Sequence, residues 1–135
     1  MIAAQHIEAQ QIEAQADRFW PAATRTTVAL AVAAGAARAD CGRSDTRARI
    51  VMLCNELTAL AGDESDGALV GAIATSLGGF VGQASLDEPA LEVIAGHLEA
   101  LRAVVRHAIG GDGGPVGRAI MAGLQASVAR YGVAA

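Results

Sequence analysis

The stretch from Leu86 to Gly114, LDEPALEVIAGHLEALRAVVRHAIGGDGG, constrains the fold more than any other part of the chain. Leu91, Ile94, Leu98, Leu101, Val105 and Ala108 recur at three- and four-residue steps, so on an α-helix they form one apolar stripe. Asp87 stands where a side-chain oxygen can accept from the first free backbone N–H groups. Glu88 suits the positive end of the helix dipole, and Pro89 fits the first turn. The run Gly110-Gly111-Asp112-Gly113-Gly114 ends the helix. A lone helix of this kind would leave its stripe in water, so other segments must cover it.

The remaining segments supply helices as well. A first helix is predicted from Ile2 to Trp20, stopping at Pro21, with Ile2, Ala9, Ile12, Ala16 and Phe19 along one side. Thr24 or Thr26 caps a second helix to about Ala39, in which Val28, Val32, Gly35 and Ala39 form the packing stripe. A third, capped by Ser44 or Asp45, presents Ile50, Leu53, Leu57 and Leu60. A fourth begins near Asp66 or Ala68 and presents Leu69, Ile73, Leu77 and Phe80, with Gly78-Gly79 as the place to bend or end it. Pro115 starts the last helix, with Val116, Ile120, Leu124 and Val128 on its apolar face.

Apolar residues make up 53% of the chain, yet it has only two Phe, one Trp and one Tyr, and much of the remainder is Ala. That balance favours closely packed helices over a sheet sandwich. The expected fold is therefore all-α, a compact bundle of five or six helices. Residues 1–21 form an N-terminal amphipathic helix and 22–135 the bundle domain, with the N-terminal helix docked across the bundle or in trans onto another copy.

Within that N-terminal helix the letters Ile-Glu-Ala-Gln occur twice, beginning at Ile7 and at Ile12. A five-residue step turns a helical side chain by about 140°, so the repeat does not present one repeated face. Ile12 joins the main stripe, whereas Ile7 joins Ala3 and Ala14 in a smaller second patch. Those three residues are the candidate partner contacts.

Charge argues against a nucleic-acid coat: ten basic residues, all Arg, stand against 14 acidic ones for a net charge of −4. Arg38, Arg43, Arg47 and Arg49 are the one basic concentration, and a helix from Ser44 would display Arg47 and Arg43 to phosphates. Asp40 and Asp45 interrupt that field. Cys41 and Cys54 match neither a metal knuckle nor a CxxC pair and read as free thiols, Cys54 as a small core residue. The expected location is cytoplasmic. The alternative is export, because Thr26–Asp40 combines a short apolar run with an Ala-Arg-Ala ending and would be cleaved near Ala39. No segment reads as a membrane span.

Motifs for chemistry are sparse. The loop GGDGGPVGRA offers a candidate anion site at Gly113, Gly114 and Arg118, but it lacks GxGxxG and GxxxxGK[ST], and a structural turn is the preferred reading. His97 and His107 share no metal-ligand spacing; His97 flanks the apolar stripe and His107 faces away. Glu92 and Glu99 project to solvent. Ser65, Ser76, Ser85 and Cys54 have no base identifiable by spacing, so no catalytic residue, metal or cofactor is assigned. The expected function is self-association or protein–protein interaction by a non-catalytic helical protein, as a homo-oligomer or with a protein partner. A small-ligand-binding or enzymatic bundle is the alternative, and a DNA-binding regulator a third.

Overall fold

The computed structural model describes residues 2–40, 44–62 and 65–132 and, within them, all side chains but those of 2–17, 40, 44 and 65. Among the described residues the chain is all-α. The helices are α1 (Ile2–Asp40), α2 (Ser44–Ala61), α3 (Ala68–Gln83), α4 (Glu88–Arg106) and α5 (Gly114–Tyr131), with a 3₁₀ turn at Ser65–Gly67 and no strand.

One continuous α1 replaces the two helices expected on either side of Pro21. Proline inside a helix costs about 3 kcal/mol through its missing N–H and its clash with the preceding turn. Here the apolar stripe continues across the break: Phe19 and Ala23 are buried, and Thr27, Leu30, Ala33 and Ala37 follow on the same side. Burying that side against α2 and α4 offsets the proline cost. Thr24 and Thr26 do not cap a new helix. Their hydroxyls donate back to the carbonyls of Trp20 (2.8 Å) and Ala22 (3.1 Å), as Thr does inside a helix.

The face of α1 that packs is also different from the one expected. Val28 and Val32 are 58% and 70% exposed, and Gly35 and Ala39 are exposed with them. The buried positions are occupied mainly by Ala and Thr, whose small side chains let α1 lie close to its neighbours.

The α2–α3 pair shows how closely the helices approach. They run antiparallel, and a Cβ built on Gly71 would meet the Ala61 Cβ at 3.1 Å, while one on Gly78 would meet the Cys54 Cβ at 3.2 Å. The two contacts lie seven residues apart on each helix. Gly78 therefore serves as a packing notch, and α3 runs on to Gln83 past both glycines. Ile50, Leu53 and Leu57 are buried as expected from their spacing, and so are Leu69, Ile73, Leu77 and Phe80; Leu60, 36% exposed, falls outside the core.

The stripe on α4 is buried from Leu91 through Leu101, and Asp87 caps the helix by accepting from the Ala90 amide at 3.0 Å. The helix ends at Arg106, two residues before Ala108. Ala108 takes a left-handed conformation (φ 48°), which lets the Ile109 amide reach the Val104 carbonyl at 2.9 Å. On α5 the inward face is set by Gly117 and Leu124, with Ile120, Met121 and Val128 partly buried. Val116, expected inside, is 57% exposed.

Candidate functional site

Burial in the bundle brings together two residues that the sequence leaves apart. His97 on α4 is 0% exposed, and its Nε2 lies 2.9 Å from Ser76 Oγ on α3. Its Nδ1 lies 2.9 Å from the Val93 carbonyl oxygen, one turn earlier on α4. A carbonyl can only accept, so Nδ1 carries the proton; in the neutral ring Nε2 is then the acceptor and the Ser76 hydroxyl donates to it. Both ring nitrogens are satisfied. Expected at the margin of the α4 stripe, His97 instead lies fully inside the core because α3 supplies its second partner.

Burial holds the His97 pKa below its ordinary value, opposed in part by the bond to Val93. The unfolded chain, with an ordinary histidine near pKa 6.5, therefore binds more protons than the folded one just below that pH. Stability is full above about pH 6.5 and falls as the pH drops from there towards the folded-state pKa, with a slope of up to about 1.4 kcal/mol per pH unit. Urea melts at pH 7.5 and 5.5 check this. The wild type is expected to lose stability over that interval, and His97→Asn, less stable at both, to lose clearly less. An equal loss in both proteins would assign the titration to other groups.

Ser76 is half-buried and lines a groove of about 660 Å³. Its floor is the small-residue face of α3 at Gly71, Ala72, Thr75 and Ser76. One wall is the end of α2 at Thr58 and Ala61, the other α5 at Met121 and Gln125. The Thr58 hydroxyl is directed to the Cys54 carbonyl at 2.9 Å. Cys54 itself is a free, buried thiol whose pKa is pushed up to about 12 by desolvation, so it is inert at neutral pH.

The other residues singled out by sequence fall elsewhere. Arg47 does not point outward: its guanidinium donates to the Val81 carbonyl at 2.8 Å and to that of Ala84, closing the C-terminal end of α3. The last carbonyls of a helix lack intrahelical donors and sit at the negative end of its dipole, which is why a cation from α2 is drawn there. Beside it, the Tyr131 hydroxyl lies 2.9 Å from the Ser85 carbonyl and 3.0 Å from Asp87 Oδ1, and its ring packs edge-on against Phe80. This corner ties α2, α3, α4 and α5 together. Arg38 lies 4.0 Å from Glu88 across an exposed pair, and Arg43 and Cys41 are outside the described residues.

In the glycine loop the Gly113 amide donates to Gly110 O (3.2 Å) and the Gly114 amide to Asp112 Oδ1 (2.9 Å), while Arg118 is exposed on the second turn of α5. Gly111 O accepts from the Leu69 amide at 2.9 Å, so the loop also supplies an acceptor to the start of α3. His107, Glu92 and Glu99 are exposed. Ala3, Ile7 and Ala14 lie on α1, but their side chains are outside the described residues. Among the described residues no group of three or more His, Cys, Asp or Glu could hold a metal ion, and no helix is long and apolar enough to cross a membrane.

No protein-family model matches the chain, and neither a curated protein nor a solved structure is similar to it. A functional reading therefore rests on the geometry of the chain itself.

Proposed function

We propose that this protein acts by self-association, two copies pairing through the outer face of α1. The observation that carries the reading is the exposed series Val28, Val32, Gly35 and Ala39. Its 4-3-4 spacing is that of a coiled-coil seam, and it lies on the side of α1 opposite the buried stripe. The seam is self-complementary. In an antiparallel pair about a two-fold axis, Val28 of each copy faces Ala39 of the other, and Val32 faces Gly35. Large side chains thus meet small ones, the same device that seats α3 on α2. An apolar series of this kind is unfavourable in water when left bare. Cytoplasmic residence belongs to the same proposal and is supported by the free Cys54 thiol inside the core.

Size-exclusion chromatography with light scattering tests the pairing. The wild type is expected at twice the mass of one chain, and the double variant Val28→Glu, Val32→Glu at the mass of one chain with an unchanged helical circular dichroism spectrum. A wild type that stays monomeric at roughly 100 μM, weaker than the micromolar affinities of ordinary specific complexes, would remove the proposal. The enzymatic or ligand-binding alternative is favoured by one separate observation, the Ser76–His97 pair at the groove.

A further inference from the structure

We propose that Ser76 is a nucleophile activated by His97, and that the groove between α2, α3 and α5 accepts a small activated ester. Three features carry this. First, the polarity of the hydrogen bonds is that of a nucleophile and its base: Val93 O fixes the proton on Nδ1, and Ser76 Oγ–H points at the unprotonated Nε2, 2.9 Å away. The carbonyl takes the orienting role that a carboxylate fills in Ser-His-Asp triads. Second, Ser76 borders open space, and Gly71 and Ala72, about a turn earlier on α3, keep the approach to it free of bulky side chains. Third, Thr75 and Gln125 line the same groove and carry donors that suit the oxygen of a polarised carbonyl. Burial adds to this by keeping His97 in its neutral, accepting form.

The chemistry is acyl transfer followed by hydrolysis. Ser76 Oγ attacks the carbonyl carbon of the ester and its proton passes to His97 Nε2. The bond to the leaving alcohol breaks, and the alcohol of the activated ester departs as its anion, which takes up a proton from water in the groove. Water then attacks the acyl carbon and gives a proton back to the solvent; the acyl–Oγ bond breaks, Oγ recovers its proton from Nε2, and the acid departs. His97, 0% exposed, exchanges its proton with Ser76 alone. The only co-reactant is water, and no oxidation or reduction is involved.

The test uses the full chain with two probes, a fluorophosphonate and p-nitrophenyl acetate. The first is expected to add once per chain with loss of fluoride, and fragment mass spectrometry to place the adduct on Ser76. The second is expected to release nitrophenolate about 100-fold faster with wild type than with Ser76→Ala, the lower end of what a positioned base contributes. His97→Gln is expected to lose both reactions. An unlabelled wild type, or an adduct on another residue, overturns the assignment. Because that readout is made on the wild type, it decides even if a variant fails to fold.

Discussion

Replacing Leu101 by Asp is expected to abolish the cooperative thermal melt of the bundle. Leu101 is 0% exposed on α4, where Ile94 and Val104 are buried with it. The substitution removes the transfer free energy of a buried leucine, about 2 to 3 kcal/mol, and forces a carboxylate either to ionise away from water or to take up a proton, at several kcal/mol more. The sum is comparable to the whole stability of a small domain, roughly 5 to 15 kcal/mol. Circular dichroism at 222 nm during heating reads the outcome. Leu98→Asp, at 7% exposure on the same stripe, is expected to be severe but less so, and Arg102→Asp, on the exposed face, to melt close to wild type. If Leu101→Asp melted like the wild type, α4 could not lie in the core as described.

Gly117→Ala carries the second large effect. A Cβ at Gly117 would lie 1.8 Å from the carbonyl oxygen of Asp112 and 2.8 Å from its carbon, and both are backbone atoms that no rotamer change can move aside. The loop would have to shift. In doing so it would strain the Gly117 N–H to Gly113 O bond and the Leu69 N–H to Gly111 O bond that joins the loop to α3. A loss of about 3 kcal/mol follows, at the upper end of ordinary overpacking. Gly123→Ala is the control within the same helix: a Cβ there meets nothing within 4 Å, so removal of the glycine is expected to stabilise by about 0.5 to 1 kcal/mol. Denaturant melts of the two variants should move in opposite directions. Equal shifts would mean that the loop is not held against α5.

The two results bear on function through different parts of the molecule. Gly117 sits one turn before Met121 on α5, the wall of the groove that Ser76 borders, so a displaced α5 would open that groove without touching the outer face of α1. Leu101 supports the packing that keeps His97 buried beside it on α4.

Much of the architecture could be read from spacing. The stripes on α2, α3 and α4, the Asp87 cap and the buried Cys54 all follow from local periodicity and from capping chemistry, which act within one helix and so are written in consecutive residues. Pro21 was misleading because its cost is local whereas the burial of Phe19 and Leu30 on either side of it comes from other helices. The stripe on α1 is ambiguous for a related reason. Two apolar series run along that helix at the same period, and the one with valines looks more like a core. Only contact with α2 and α4 selects the series of Ala, Thr and Leu, because close approach rewards small side chains.

The candidate site was less legible still. Ser76 and His97 stand 21 residues apart on different helices, and no motif spans them. One signal was available: each polar residue adjoins a strongly apolar stripe, and a buried polar group needs a partner. Spacing could not say which partner. By itself the sequence determined that the chain forms helices, where most of them begin and end, and which face of α2, α3 and α4 turns inward. Tertiary structure alone decided that α1 runs through Pro21, that Val28 and Val32 face outward, that Arg47 closes α3 and that Ser76 meets His97. The reason is physical. Helix-forming interactions couple residues within four positions of one another, whereas burial and side-chain hydrogen bonding depend on which helices become neighbours, and that is set only when the whole core packs.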